Sequence, residues 1–336
     1  MTRRERLRVS VIGLGVGEQH ARTYASLPSC QLVSVCDLDG RRAEHLAREL
    51  SVRVARADEE IFDDPEIDVV SIASYDDDHP AQLMAAIAGG KHAFVEKPLC
   101  RSGAELAAIK ASWAADGRRH VASNLVLRAA PLFQWLRDRV QDGAFGEIYA
   151  FDGDYLYGRL HKITHEWRSR VDDYSVILGG GVHLVDLMMW ITGQTPVRVA
   201  ASGNRISTAG TAFRYHDFVA ATYQFPSGMV GRITANFGSV HRHQHVVRVF
   251  GTRGAFVYDD LGARVHWSRD PESTPETLAL SARPASKGAL IPSFIDAIVE
   301  GRDAAPVIQS ELDVIAACVA ADRAVATDAP GKVVYV

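Results

Sequence analysis

Over the first 125 or so residues, short apolar runs alternate with longer stretches whose apolar positions recur every three or four residues. Residues 7–12, 31–36, 52–54, 67–73, 91–95 and 120–127 are the runs, several rich in β-branched side chains. Residues 18–27, 41–50, 80–89 and 104–115 carry the helical period. Runs bounded by turn residues predict buried strands, and the longer periodic stretches predict helices. Strand and helix in alternation predict a parallel, doubly wound sheet. The second half has a different rhythm. A helix over 131–142 stops at Gly143, and weak alternation over 149–157 starts a second sheet. Strands follow over 198–203, 217–225, 228–237 and 245–251, with Pro226-Ser227-Gly228 as a hairpin turn. Residues 182–190, 292–300 and 310–327 read as helices, 269–287 as a polar, proline-rich loop, and 332–336 as a closing strand.

A length of 336 residues suggests two domains. A net charge of -4 gives no basic field for nucleic acid. Cys30, Cys36, Cys100 and Cys318 show no CxxC spacing, which points to a reducing, cytoplasmic setting. No apolar run is long enough to span a membrane, and the basic start (Arg3, Arg4, Arg6, Arg8) leads to Glu18 and His20 rather than to a signal-peptide cleavage site. That start reads as a solvated tail.

The first apolar run breaks at Gly13-Leu14-Gly15-Val16-Gly17 and a helix follows. Strand, glycine loop and helix form the context of a dinucleotide site. Gly13, Gly15, Val16 and Gly17 bring backbone close to a pyrophosphate, and the helix start offers N–H groups and a positive dipole end. The third glycine comes one position early, and Glu18 stands in its usual place. A carboxylate would repel a phosphate, so Glu18 is expected to point away. Asp37 ends the second strand, 20 residues past Gly17, at the distance of a ribose-binding acid. It would accept from the ribose hydroxyls and repel a 2′-phosphate, favouring NAD over NADP; Arg41 and Arg42 nearby soften that preference. The plain alternative for Asp37 is a helix N-cap beside Asp39-Gly40. Asp76, Asp77 and Asp78 read as a polar loop and helix cap, not a metal site. At Phe94-Val95-Glu96-Lys97-Pro98 a buried strand ends in an acid, a base and a proline, at the strand end where open α/β sheets hold ligands. A Lys there sheds its proton at modest cost when desolvated or near another cation. The plain alternative is a surface ion pair.

Further on, Asn124 sits on the strand over 120–127 and Arg128 just past it. The segment with Tyr155, Tyr157, Arg159, His161, Lys162, His165, Trp167 and Arg168 supplies stacking surfaces and donors suited to a polyhydroxylated ligand; otherwise it is a wet loop. Gly179-Gly180-Gly181 reads as flexible backbone before a helix with His183 at its start, where the dipole favours a neutral imidazole, and with Asp186 three residues on. His241, His243 and His245 alternate and would share one face of a strand. No carboxylate or thiol completes that row, so no metal is expected.

In order and spacing, these pieces resemble the Gfo/Idh/MocA oxidoreductase family. The residues that carry the resemblance are Val11-Ile12-Gly13-Leu14-Gly15, Asp37, the His79 loop, Gly90 to Leu99 around Glu96-Lys97-Pro98, and Gly179-Gly180-Gly181-Val182-His183-Leu184-Val185-Asp186. The resemblance implies an N-terminal Rossmann domain, taken as 1–122, and a C-terminal α/β domain, taken as 123–336, with a large open, mostly antiparallel sheet. It implies NAD(P)-dependent redox chemistry on a sugar, cyclitol or nucleotide sugar, with Lys97 and His183 catalytic. Ser74, His79, Glu96 and Lys97 join the glycine loop and Asp37 around the cofactor. Asn124, Arg128, Tyr155, Tyr157, His165, Trp167, Arg168, Tyr174 and His183 are expected around the substrate. Relatives form dimers or tetramers through the uncovered sheet face, so a homo-dimer or homo-tetramer is expected, with the 241–245 strand at or near the contact. One position departs from the family: most catalytic relatives have an Asp four residues before the His, and here it is Gly179. Its role must pass to another group or to water, with Asp172, Asp173 and Tyr174 nearest in sequence. Two other activities occur on the same fold, an NAD-dependent glycosidase with transient oxidation and a non-catalytic nucleotide-binding regulator.

Overall fold

In the computed structural model, which describes residues 6–336, six strands form one sheet. They are β1 (Leu7–Ile12), β2 (Cys30–Cys36), β3 (Arg53–Val54), β4 (Val69–Ile72), β5 (His92–Val95) and β6 (Val121–Ser123). Their order is β3-β2-β1-β4-β5-β6, and every pair is parallel. The direction of winding reverses between β1 and β4, the point where this class of sheet binds dinucleotides. α1 (Gly17–Ser26), α2 (Gly40–Leu50), α3 (Glu59–Phe62), α4 (His79–Ala88) and α5 (Gly103–Asp116) make the crossovers. β4 is buried at every position, as a strand covered on both faces must be. α2 is capped by Asp39, which accepts from the N–H groups of Arg41 and Arg42, and α5 by a reciprocal Ser102–Glu105 capping box. Arg3 and Arg4 of the basic start lie outside the described residues.

The second sheet has nine strands. They are β7 (Ile148–Leu156), β8 (Arg198–Asn204), β9 (Phe218–Gln224), β10 (Val230–Asn236), β11 (Gln244–Gly251), β12 (Ala255–Asp259), β13 (Gly262–His266), β14 (Glu276–Leu278) and β15 (Gly331–Lys332). The order is β14-β13-β12-β11-β7-β10-β9-β8-β15, antiparallel throughout except where β7 meets β10. The expectation of a plain loop over 269–287 is corrected by β14, a three-residue edge strand held by its pairing with β13 rather than by any periodicity of its own. α6 (Pro131–Gln141), α7 (His161–Thr164), α8 (Val182–Thr192), α9 (Ile291–Val299) and α10 (Ala305–Thr327) complete the chain. α8 lies close on the sheet because two strand positions lack side chains. A Cβ on Gly153 would come within 3.2 Å of Leu184, and one on Gly231 within 2.1 Å of the Met188 sulfur. The other sheet face carries ion pairs, Asp152–Arg232 at 3.0 Å and Asp154–Arg248 at 3.1 Å.

Two compact units emerge. The first holds the parallel sheet up to Val126 and takes back Ala285–Leu312 and Val336; the second is Leu127–Pro284 with Asp313–Tyr335. The single cut expected at 122/123 leaves out that return. α9 explains it: Ile291, Phe294 and Ile295 join the core of β1, β2 and β5, with the Phe294 ring 5.4 Å from that of Phe94. A continuous apolar helix face this far along the chain does not reveal which sheet it covers.

Candidate active site

In the first unit the glycine loop is shaped by close approach. Gly13 has φ +79°, and a Cβ there would lie 2.3 Å from the Ala73 carbonyl oxygen. A Cβ on Gly17 would press on Ala73 and Val11 at 3.0 and 3.1 Å, so α1 starts tight against β1 and β4. Above Gly15 a Cβ would meet nothing within 4 Å, and Val16, the residue before α1, gives no side-chain cap. The loop therefore has room on its open side and uncapped N–H groups beside it, which fits a dinucleotide pyrophosphate. Glu18 turns away onto Arg22, 2.9 Å off. The Asp37 carboxylate accepts from Leu14 N at 2.5 Å and from Asp39 N at 2.7 Å, with Arg42 at 3.7 Å. The N-cap role belongs to Asp39, so Asp37 stands between β2 and the glycine loop, where a ribose-binding acid belongs.

Ser74 donates its hydroxyl to Gln82 at 2.5 Å. His79 is fully buried, its two ring nitrogens facing the carbonyls of Pro98 at 2.8 Å and Ser74 at 3.3 Å. It ties the end of β4 to the end of β5 rather than presenting its ring to solvent.

At the end of β5, Glu96 is held by side chains from two other places in the fold, α1 and the end of β6. Asn124 Nδ2 donates to it at 2.6 Å, and His20 Nε2 lies 3.4 Å away. Asn124 also donates to the Lys287 carbonyl at 2.8 Å, and His20 Nδ1 meets Ser71 Oγ at 3.0 Å. Burial works against the Glu96 charge, but His20, Lys97 and Asn124 together outweigh it and bring the carboxyl down to about 2. Lys97 follows, half-buried. Asn124, expected around the substrate, is 1% exposed and serves Glu96. His20 was not among the expected site residues. The available signal was its place on the buried face of α1 with Gly17, Ala21 and Tyr24, a helix springing directly from the glycine loop.

In the second unit, a wide helical turn, Ile177–Gly181, runs into α8. Gly179 N donates to the Ser175 carbonyl at 2.8 Å, and Leu178 N to Ser175 Oγ at 3.1 Å. This corrects two expectations. The three glycines are helical rather than a flexible lead-in, and His183 is not at a free helix start, because a closed turn precedes it. The glycines are required by what lies on them. A Cβ on Gly179 would fall 2.2 Å from the Tyr174 hydroxyl, and one on Gly180 2.3 Å from the Tyr155 ring.

Around them is an aromatic wall. Tyr155 stacks with Tyr157 at 6.0 Å and meets Phe237, His243 and His245 at 5.5, 5.3 and 5.2 Å. His183 and His245 are edge to face at 5.8 Å. Burial pushes the Tyr155 phenol well up, Tyr157 adding and Arg159 and Arg168 opposing, so it stays a hydrogen-bond donor. Arg168 lies over the Trp167 ring at 4.3 Å and donates to Tyr174 Oη at 3.2 Å. Arg128, expected at the substrate, forks instead onto the buried Asp186, Nε to Oδ1 at 2.9 Å. Burial pushes the Asp186 carboxyl up and Arg128 opposes it. His165 is exposed and meets Thr164 Oγ1 at 2.7 Å. The row His241, His243, His245 does not share a strand face, since β11 begins only at Gln244. His241 pairs with Asp260 at 2.9 Å, while His245 sits opposite Tyr155 in the register and faces α8. Neither His243 nor His245 was expected in the site, because their role depends on which strand they pair with. Among the described residues, no group of three or more His, Cys, Asp or Glu is placed to hold a metal ion.

Two family models match along the chain: an oxidoreductase family NAD-binding Rossmann fold over residues 7–124, and a GFO/IDH/MocA C-terminal domain over 133–257. The scyllo-inositol 2-dehydrogenase (NAD(+)) of Bacillus subtilis is 30% identical over 263 residues, 76% of this chain and 74% of that one. The chain belongs to the Gfo/Idh/MocA oxidoreductase family. Inositol 2-dehydrogenase of Acidothermus cellulolyticus is 32% identical over 209 residues, 61% of this chain, and the match spans 59% of that enzyme. Levoglucosan dehydrogenase in complex with NADH shares the fold, with a TM-score of 0.86 at 23% identity, over 98% of this chain and 100% of that one. Within the Gfo/Idh/MocA frame, the glycine loop, Asp37, Glu96, Lys97 and Asn124 fall in the Rossmann match. Tyr155, Tyr174, Gly179, His183, His243 and His245 fall in the C-terminal match.

Proposed function

We propose that this protein is an NAD-dependent dehydrogenase, or the matching reductase, of a CH–OH group on a sugar- or cyclitol-like ring. The observation that carries the reading is Lys97 at the end of β5, next to a Glu96 carboxylate held ionised by His20 and Asn124. NAD, held by the glycine loop and Asp37, would supply the hydride acceptor. Removing hydride from carbon requires that the hydroxyl oxygen be polarised and its proton taken, and Lys97 is assigned to accept that proton or polarise that oxygen, with His183 as its partner. Tyr155, Tyr157 and His243 offer flat faces and donors that suit a ring bearing several hydroxyls. Relatives named for inositol and levoglucosan support this substrate class. Asp37 favours NAD over NADP, since its carboxylate repels a 2′-phosphate. The chain is assigned to a reducing, cytoplasmic setting on the spacing of its four cysteines, and no helix among the described residues is long and apolar enough to cross a membrane. The ion-paired face of the nine-stranded sheet is assigned to a second copy of the chain, giving a homo-dimer or homo-tetramer.

The test is incubation with NAD and a panel of cyclitols and sugars, following NADH absorbance and products together. Net NADH with an oxidised ring supports the dehydrogenase. Hydrolysis without NADH points to a glycosidase, and tight NAD binding without any product points to a regulator. Lys97→Met should keep NAD affinity within a few-fold and lower turnover by roughly 10²–10⁴.

A further inference from the structure

Tyr174 is fixed at both its ring and its oxygen. The ring packs edge-on against Trp167 at 6.5 Å, Phe213 at 5.8 Å and Phe237 at 6.3 Å. The oxygen accepts from Arg168 Nε at 3.2 Å. A Cβ on Gly179 would lie 2.2 Å from that oxygen and 2.7 Å from the ring carbon bearing it. The hydroxyl therefore stands where a side chain of residue 179 would begin. Residue 179 comes about one helical turn before His183, so groups at these two places share a helix face. Aromatic contacts run from Tyr174 through Phe237 and Tyr155 to His245 and on to His183. Phenol and imidazole thus belong to one aromatic-walled patch of the second unit.

We propose that Tyr174 is a catalytic acid/base, its hydroxyl taking the place of a carboxylate on residue 179 and exchanging a proton with the reacting oxygen of the substrate. This rests on the dehydrogenase reading. Because Oη accepts from Arg168, its own hydrogen points elsewhere as a donor. When the phenol gives up that hydrogen, the guanidinium stabilises the phenolate. In the oxidising direction the acceptor is the phenolate, its own proton already passed to solvent: the substrate O–H bond breaks, its electron pair stays on the substrate oxygen as hydride leaves the carbon for the nicotinamide, and the proton forms the Oη–H bond. In the reducing direction the same proton returns. A neutral phenol beside a guanidinium, in place of a carboxylate, also makes this part of the site less negative.

Tyr174→Phe keeps the ring contacts and removes only the oxygen. A near-ultraviolet difference titration of wild type against Tyr174→Phe reads this one phenol without any substrate. Arg168→Leu, which removes the cation beside Oη, should raise its midpoint. With NAD and a ring polyol that is turned over, Tyr174→Phe should lower kcat roughly 10²-fold with KM changed only a few-fold. Gly179→Asp made together with Tyr174→Ala should recover turnover relative to Tyr174→Ala alone. A midpoint that Arg168→Leu leaves unchanged, or near wild-type turnover in Tyr174→Phe, overturns the assignment. A protein that binds NAD and oxidises no polyol defeats the dehydrogenase reading instead, while the titration still decides the state of the phenol.

Discussion

Asp37 holds its charge between two backbone N–H groups, one from the glycine loop and one from the start of the next helix. Replacing it should disturb both the loop and the choice of cofactor. Asp37→Ser is expected to weaken NAD and to improve NADP relative to NAD, checked by parallel fluorescence titrations; a wild type that prefers NADP would remove Asp37 from this role. Glu96 makes a different prediction. Its folded value of about 2 lies below the ordinary 4.5, so its stabilising contribution is complete above pH 4.5 and is lost as pH falls through the folded value. Wild type and Glu96→Gln, compared by urea unfolding, should differ by at most about 3 kcal/mol at pH 7, and less at each step below pH 4.5. A gap that does not change with pH would mean Glu96 is not held ionised. At this scale the sequence was most informative where partners are near in the chain. Glu18 and Arg22 lie four residues apart, and Asp37 closes its β strand. His20 was hidden because its partner, Glu96, arrives four strands later.

The wide turn before α8 shows where element-level reading falls short. Three glycines in a row suggest a loop, yet none of them has positive φ, and each is helical. What demands them is the approach of Tyr174 and Tyr155, which only the folded sheet reveals. Gly179→Ala should therefore cost about 1–3 kcal/mol by crowding, and much of that penalty should vanish in the Tyr174→Ala background. Additive penalties in a thermal-unfolding double-mutant cycle would contradict this. The same turn is tied to α10, since Ser175 Oγ donates to Asp322 at 2.8 Å. Burial pushes the Asp322 carboxyl from 3.8 up to about 7, against the Ser175 hydrogen bond. A raised acid binds its proton more tightly folded than unfolded, so stability falls as pH rises from about 4 to about 7 and then levels. Asp322 keeps some solvent exposure, which trims the effect. Asp322→Asn retains the acceptor and should exceed wild type by about 1–2 kcal/mol at pH 8, with that gain shrunk to a fraction at pH 5. Equal gains at both values would place the cost elsewhere.

For the whole molecule, the alternation of the first 125 or so residues and the sheet-rich second half were both legible, because each pattern is local. The return of residues 285–312 to the first unit was not, because an amphipathic helix does not announce its partner. A second copy on the open sheet face predicts a dimer or tetramer by sedimentation at micromolar concentration; a monomer there would rule it out. A fragment ending at Val126 should be poorly soluble and bind hydrophobic dyes, and a version joined by a short linker to residues 285–312 should not.

That return also sets a clock on the ribosome. Phe94 is made early, but Phe294, which packs against it, is separated from it by eight of the nine strands of the second sheet. At ordinary elongation rates of about 5–20 residues per second, the nascent Rossmann half waits roughly 10–40 s with one flank of its core open. Its newborn chain should be a client of ribosome-associated chaperones over that interval and cease to be one once α9 has emerged.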